Sequence, residues 1–328
     1  MDPRPTSDQT SGPASPVPRV PAAEGAPAAH AAPRSEFFGL ALAFLSAGLY
    51  AVGTVCAALT YDAGARPSTI VWLRFLFAAV ALALLSRAMG RPLRVARRHW
   101  RGLLGTALGL LGITNGYLTS VAYIPIELAV LIFYTFPLLV GTAEALMEGR
   151  RIGLFAVLCY LLAFGGLALS LGPSFADLDW RGIALASLAS ASSVLALLAS
   201  RAVAREAEPL AVACLANVFG FAAMSVFVPF ATGIALPSGL YGWSTMTIAC
   251  TVFIGAFALQ IVSVRFAGAG PVAMMYNFEP ALTVLIAWTF LGAMFEVTEA
   301  LGVALILIAL FAAPRAWRRR FRTRLDPA

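Results

Sequence analysis

The sequence predicts an all-α polytopic membrane protein, with ten transmembrane helices arranged as two inverted five-helix repeats. Hydrophobic residues make up 60% of the 328 positions and charged residues only 12%, about half the share of charged residues in a soluble domain. The apolar residues gather into about ten stretches of a length that crosses ~30 Å of hydrocarbon as a helix. Nearly all arginines lie on one side of the membrane in this arrangement, and the two halves of the chain share a sequence pattern.

Ten predicted spans follow one another along the chain and leave no room for a separate soluble domain. In order, they are 37–59, 69–85, 103–122, 128–147, 154–171, 182–203, 210–230, 245–265, 271–290 and 297–313. Residues 1–36, rich in Pro, Ala and Ser, are predicted to be a disordered cytoplasmic tail. Residues 314–328 are a basic cytoplasmic tail, which either fixes orientation or binds anionic lipid headgroups. The two repeats then cover residues 37–172 and 173–313.

The placement of the basic residues predicts the orientation. All 23 of them are arginines, and the net charge is +7. Twenty lie on one side of the predicted topology, only Arg66 and Arg181 lie on the other, and Arg74 lies within a span. By the positive-inside rule, we expect both termini to be cytoplasmic and the number of spans to be even. The predicted location is the cell (inner) membrane. This distribution indicates that the positive charge orients the protein in the membrane and argues against binding of nucleic acid.

An internal repeat appears at an offset of 143 residues. The segments Gly39–Leu45 and Gly182–Leu188 share five of seven positions at that offset, which also pairs Pro137 with Pro280. Five spans are an odd number, so the second copy must insert upside down relative to the first. Inverted repeats are typical of secondary transporters, whose substrate site lies near the bilayer midplane.

The two paired prolines are predicted to be hinges at this midplane. Both Pro137 and Pro280 lie ~14 Å from the start of their spans at 1.5 Å per residue. Each removes one helical hydrogen bond, which is predicted to free the carbonyls of Phe133 and Tyr276. Such carbonyls are tolerated where they line a cavity or meet a neighbouring helix.

Glycines recur every three to four residues along the third span, at Gly105, Gly109, Gly112 and Gly116. A stripe of this kind allows a neighbouring helix to approach closely. It indicates either a sliding contact or tight static packing.

Several short motifs occur in an order that resembles a known family. They are Arg74 followed by Phe-Leu-Phe-Ala-Ala, Tyr-Ile-Pro125-Ile-Glu-Leu-Ala, Pro137 followed by Glu148, and Glu279-Pro280 followed by the Gly302 helix. From about residue 37 to residue 313, the chain resembles the EamA branch of the drug/metabolite transporter superfamily. The resemblance implies transport of small metabolites, often amino acids. Where the family usually has a Glu, this chain has Ala293, so either Glu296 substitutes or the outer gate differs.

Three ionisable side chains fall within the spans, where such groups are costly and usually face protein or water. Glu279 can bind a substrate amine, carry a coupling proton, or serve as a packing carboxylate beside Pro280. Arg74 can hold a substrate carboxylate, lock neighbouring helices, or snorkel outward. Glu144 lies only ~6 Å from the cytoplasmic edge, which favours a structural or gating role.

Neutral polar side chains are predicted to line a shared central cavity, although each can instead bridge two helices. At the offset of 143, Tyr50 corresponds to Ser193, Tyr117 to Gln260 and Tyr134 to Asn277. The complete predicted set of substrate-binding residues is Tyr50, Arg74, Asn115, Tyr117, Tyr134, Ser193, Asn217, Gln260, Tyr276, Asn277 and Glu279.

An enzyme is not expected, and neither is a cofactor or a metal. The two histidines, His30 and His99, lie outside the spans, and no Gly-rich phosphate loop indicates ATP binding. The first hypothesis is secondary active transport of a small organic solute, such as an amino acid or related metabolite, by alternating access. Its partners are the solute, membrane lipids and, if transport is coupled, protons. The alternatives are an uncoupled uniporter or pore, and a non-transporting scaffold or lipid-modifying enzyme.

Overall fold

The computed structural model describes residues 33–149, 152–173, 178–291 and 296–322. Within these ranges the chain forms twelve α-helices and no β-strand. Most of the predicted N-terminal tail, the last six residues, Arg150, Arg151 and Ala293 lie outside the described residues.

The helices divide into two sets of six. The first set is α1 (Pro33–Asp62), α2 (Pro67–Ala88), α3 (Trp100–Ser120), α4 (Ile126–Phe133), α5 (Phe136–Met147) and α6 (Leu154–Leu171). The second set is α7 (Trp180–Ala204), α8 (Pro209–Phe227), α9 (Gly239–Ala267), α10 (Ala269–Met275), α11 (Phe278–Leu291) and α12 (Val297–Arg322). The fourth and ninth predicted spans are therefore each built from two shorter helices.

Seven helical segments of the described chain are long and apolar enough to cross a membrane. They are Ser35–Asp62, Pro67–Ala88, Ile126–Met147, Leu154–Leu171, Trp180–Ala204, Pro209–Phe230 and Gly239–Ala267. The prediction of an all-helical, multi-pass membrane protein is thus confirmed. The other three predicted spans correspond to α3, to the interrupted pair α10 and α11, and to α12.

Some helix ends differ from the predicted span ends. Helix α1 begins at Pro33 and α12 continues to Arg322, so both helices extend into segments predicted to be tails. Helix α9 begins at Gly239, six residues before the predicted start of its span. The reason is that apolar runs report the hydrocarbon core, whereas a helix can continue through the interfacial layers beyond it.

The helix starts repeat at the sequence offset. Helices α4 and α10 begin at Ile126 and Ala269, and α6 and α12 begin at Leu154 and Val297, both pairs 143 residues apart. The packing follows the same relation, since α1 packs on α9 just as α7 packs on α3. Helices α2 and α8, and α6 and α12, pack on their own counterparts. Every one of these contacts joins one half of the chain to the other.

The glycine stripe of α3 makes a tight contact with α7. A Cβ atom added to Gly109 would lie 2.6 Å from the backbone nitrogen of Ala196. One added to Gly116 would lie 2.9 Å from the carbonyl oxygen of Leu185. The missing side chains let the two backbones meet, as small residues do between helices in lipid.

Replacing Gly109 by alanine is expected to lower the stability of the purified protein by about 1–3 kcal/mol, because the added methyl group overpacks the α3–α7 contact. The measurement is the thermal unfolding midpoint in detergent. Gly165→Ala in α6 is the matched control, since an added Cβ there meets no atom within 4 Å. The control should unfold at the same temperature or higher, because alanine favours helix over glycine. Equal midpoints for the two variants would contradict this account of the stripe.

Candidate functional site

The polypeptide breaks its helical course at two equivalent places. The first break lies at Tyr134 and Thr135, between α4 and α5, and the second lies at Tyr276 and Asn277, between α10 and α11. Both breaks fall just before a proline. They bring turns and helix starts into the interior of the helical assembly, where polar groups can face a cavity.

Pro137 and Pro280 begin helices instead of bending continuous ones. Pro137 is the second residue of α5 and Pro280 is the third residue of α11, positions at which a missing N–H is not needed by the helix. The predicted free carbonyl of Tyr276 is wrong, because it accepts a hydrogen bond from the backbone N–H of Glu279 at 3.1 Å. The break has formed a new turn that uses this carbonyl.

A cavity of about 200 Å³ lies between the two halves, next to both breaks. It is bounded by α1, α2, α3, α7 and α9, and by residues flanking the two breaks. Six of the eleven predicted binding residues line it: Tyr50, Arg74, Ser193, Gln260, Tyr276 and Glu279. The remaining wall is largely apolar, with phenylalanines from α2, α4, α5 and α9. A mainly apolar cavity with a few polar groups is the usual form of a small-molecule site.

Glu279 lies in the first turn of α11, where a negative charge is favoured. Its Oε1 atom accepts a hydrogen bond from the Thr54 hydroxyl at 3.3 Å. The Tyr134 hydroxyl also interacts with this carboxylate. Two neutral donors therefore hold the carboxylate at the cavity wall.

Arg74 is the cation of the cavity. Its guanidinium carbon lies 4.1 Å from the centre of the Phe253 ring, the geometry of a cation–π contact. Within the described part of the chain, its buried Nε atom has no hydrogen-bond partner. Arg74 and Glu279 interact electrostatically across the cavity, but no direct ion pair joins their described side chains. The site thus presents one separated positive group and one negative group.

A hydrogen-bonded wall orients the polar groups between these charges. The Tyr50 hydroxyl donates to Oε1 of Gln260 at 2.8 Å. The Tyr276 hydroxyl is 3.0 Å from that of Ser46, and the Tyr50 and Tyr276 rings meet edge to face at 5.9 Å. These contacts join α1 and α9 to the second break.

The other five predicted binding residues do not line the cavity. The amide nitrogens of Asn115, Asn217 and Asn277 each donate to a backbone carbonyl three or four residues earlier. Tyr117 packs on the Phe133 ring at 5.7 Å. Tyr134 is buried next to Phe133 and Phe136, and its hydroxyl interacts with Glu279 of the site.

Three small hydroxyl residues of the cavity, Thr106, Thr114 and Ser200, were not in the predicted set of binding residues. The hydroxyls of Thr106 and Ser200 each also bond to a carbonyl of their own helix. Their side chains differ little from the many other hydroxyl residues in the spans. The offset between the repeats was the available signal, but it pairs Thr106 with Ala249 and Ser200 with Ala57.

The two ends of the site are not equivalent. Helix α5 packs closely on α10, whereas the symmetry-related helices α4 and α11 are not among the closely packed pairs of the described structure. Helix α7 likewise packs on α9, while its counterpart pair, α1 and α3, is not closely packed within the same residues. Next to the cavity, the two halves are therefore joined at the end that contains the C-terminus of α5 and the start of α10, whereas α4 and α11 are more separated at the other end.

An all-helical membrane fold with paired halves, two interrupted helices and a central cavity that contains a few polar groups is typical of polytopic membrane transport proteins. The model of the EamA-like transporter family matches residues 37–172 and 180–313. The chain belongs to the EamA-like transporter family, and the resemblance inferred from its motifs is confirmed.

Two relatives agree with this assignment, and a solved structure agrees with the fold. The chain is 27% identical over 233 residues to the threonine/homoserine exporter RhtA of Salmonella typhimurium strain LT2, covering 69% of this chain and 75% of that protein. It is 28% identical over 225 residues to RhtA of Escherichia coli strain K12, covering 66% and 72%. A crystal structure with a TM-score of 0.73 and 20% identity covers 84% of this chain and 97% of its own, and it supports the fold alone. The family and these relatives are transporters, not enzymes.

Proposed function

We propose that this protein is a secondary active exporter of small amino-acid-like zwitterions that works by alternating access in the inner membrane. The observation that carries the proposal is that Arg74 and Glu279 both line the central cavity but do not pair directly with each other. The two threonine/homoserine exporters among the relatives support the same substrate class.

Arg74 is suited to bind a substrate carboxylate. A guanidinium has five N–H donors in a planar fork that matches a carboxylate with two parallel hydrogen bonds. Its Nε donor is unused by the described protein, and its contact with Phe253 holds the guanidinium plane beside the cavity. The described residues form no hydrogen bond that ties Arg74 to a neighbouring helix, and its contact with Phe253 of α9 is what supports the alternative role as a helix lock.

Glu279 is suited to bind the substrate ammonium group and to exchange a proton. Thr54 and Tyr134 leave acceptor capacity on its two oxygens. The carboxylate can pair with a cationic amine in one step of the cycle and take up a proton in another, which would couple export to the proton gradient. The cavity volume of about 200 Å³ lies below the ~300–1,000 Å³ of sites for drug-sized ligands and favours a small solute.

The membrane topology belongs to the same proposal. Ten crossings require α3, the pair α10–α11 and α12 to span the bilayer in addition to the seven apolar helical segments. Both termini are then cytoplasmic, because this orientation places nearly all arginines inside. The packed end, at α5 and α10, faces the cytoplasm, and the more separated end faces outward.

The pairing of the two halves supports a mechanism of alternating access. Each half contributes one interrupted helix to the cavity, and the contacts between α5 and α10 occur at one end only. Rocking one half against the other would exchange this contact for that between α4 and α11. The cavity would then open to the cytoplasm.

Flux measurements on reconstituted protein test this function. Metabolite profiling of overexpressing and deletion cells selects the solutes, beginning with threonine, and proteoliposomes are then loaded with the unlabelled solute. We expect saturable uptake of labelled solute by counterflow and uphill movement when a proton gradient is imposed. Counterflow without gradient-driven accumulation would identify a uniporter. Saturable binding without flux would identify a non-transporting protein.

A further inference from the structure

A second polar cluster lies away from the cavity, at the packed end of the two halves. Glu144, near the C-terminus of α5, is only 7% exposed. Its carboxylate accepts hydrogen bonds from the backbone N–H groups of Ala269 at 2.8 Å and Gly270 at 2.7 Å, and it pairs with the guanidinium of Arg201 from α7. Arg201 also binds Glu148 at 3.0 Å. We call these five residues the Glu144 latch.

The latch joins the two halves of the chain. Glu144 and Glu148 belong to the first repeat, whereas Arg201, Ala269 and Gly270 belong to the second. Its bonds are directed and charge-assisted, and they lie in a mostly buried place where water cannot readily replace them. Separating the halves at this end therefore requires breaking several strong hydrogen bonds at once.

The backbone at the start of α10 is shaped for this contact. Gly268 has a φ of +88°, a conformation that other residues rarely adopt. A Cβ atom added to Gly270 would lie 2.7 Å from Oε2 of Glu144. Both glycines thus permit the close approach of the carboxylate to the two N–H groups.

The residues of the latch have no charged counterparts at the opposite end of the molecule, where Arg66 and Ser68 of the first half bond to Thr232 of the second. At the offset of 143, Glu144 corresponds to Ala287 and Arg201 to Ala58, and neither alanine can form an ion pair. Glu148 corresponds to Leu291. When α4 approaches α11 in the other conformation, the outer seal has no equivalent of the latch.

We propose that the Glu144 latch is a one-sided lock that holds the cytoplasmic end closed and sets an outward-facing resting state. The inference rests on the alternating-access function proposed above, and it adds the residues that bias the two conformations. Loading from the cytoplasm requires the latch to open. The latch re-forms when the solute is presented to the outside.

Distances between spin labels test the lock without substrate and without a flux assay. Labels are placed on cysteines at Met147 of α5 and Arg265 of α9, both exposed at this end, after replacement of the four native cysteines. The distances between the labels are measured in nanodiscs by pulsed electron–electron double resonance. Arg201→Gln removes the cation but keeps the two backbone bonds of Glu144, and Glu144→Gln removes the anion. We expect a new longer-distance population in both variants. Breaking a buried ion pair should raise the ratio of the long-distance to the short-distance population on the order of 30-fold.

Arg181→Gln is the matched control, because Arg181 is an exposed arginine at the opposite end of the same helix, away from the latch. It should give the distance distribution of the parent protein. Unchanged distributions in Arg201→Gln would overturn the lock, even if Glu144→Gln fails to fold. If the distances respond as expected but the parent protein shows no flux, the result would instead count against the proposed transport function.

A constructed mirror of the latch gives a second test. Ala58→Arg combined with Ala287→Glu places the same pair at the outer end, where Ala58 is exposed and Ala287 partly exposed. The double variant should move the population toward the long cytoplasmic distance, and each single variant should move it less. A double variant that behaves as the sum of its single variants would contradict the role of an ion pair in the seal.

Discussion

Replacing Arg74 by glutamine is expected to raise the half-saturating concentration of the amino-acid substrate on the order of 10–100-fold. Hydrogen bonds to charged groups are worth about 1.5–3 kcal/mol, and every 1.4 kcal/mol changes affinity about tenfold. The fold should persist, because the described protein makes no hydrogen bond to the Nε atom of Arg74. Initial rates of counterflow in proteoliposomes measure the effect. The half-saturating concentration of Arg74→Lys should fall between those of the parent protein and of Arg74→Gln, since lysine keeps the charge but lacks the planar fork.

An analogue without a carboxylate separates recognition from general damage. If Arg74 binds the carboxylate, the decarboxylated amine should be handled equally by the parent protein and by Arg74→Gln. Arg66→Gln is the control, because Arg66 precedes α2 outside the cavity and donates to the carbonyl of Thr232. It should affect stability more than the half-saturating concentration. A normal half-saturating concentration in Arg74→Gln would exclude Arg74 from substrate binding.

Replacing Glu279 by glutamine is expected to abolish proton-driven accumulation while retaining part of the exchange between labelled and unlabelled solute. Glutamine has the same shape and still accepts the Thr54 hydrogen bond, but it cannot take up a proton. The measurement is the ratio of internal to external solute under an imposed proton gradient, which should fall to about one because no driving force remains. The counterflow rate of the same preparation shows that the site is still formed.

Glu127→Gln is the matched control for this experiment. Glu127 is an acidic residue in the first turn of α4, but it does not line the cavity. It should leave accumulation unchanged. Accumulation that survives in Glu279→Gln would remove the coupling role from this carboxylate, and loss of exchange as well would assign Glu279 to substrate binding alone.

The sequence predicted the fold better than it predicted the site. Depth along a span can be counted from the sequence, so the positions of Pro137 and Pro280 and of the polar turn before Pro280 were predicted. The prolines were expected to bend continuous helices, however, and not to begin new ones. The face on which a residue lies could not be determined, because these helices are apolar on nearly every side and the polar stripe that marks a soluble helix is missing. Asn217 and Gln260 look alike in the sequence, yet Asn217 bonds to its own helix and Gln260 lines the cavity.

Glu144 shows the same division. Its position near the end of a span predicted a structural or gating role, but its partner Arg201 counted only as one of many cytoplasmic arginines. The pairing joins residues 57 positions apart on different helices. It depends on the approach of α10, which glycines at two positions allow.

The amino-acid sequence by itself determined that this protein lies in a lipid membrane, the family to which it belongs and the offset that relates its two halves. These properties follow from composition and from short motifs, because water expels long apolar runs and lipid requires that their backbones be hydrogen-bonded as helices. The tertiary structure alone decided which polar groups face the cavity, how the two broken helices start again, and which end of the molecule is closed. Those outcomes depend on contacts between helices distant in the chain, and no local pattern of residues encodes them.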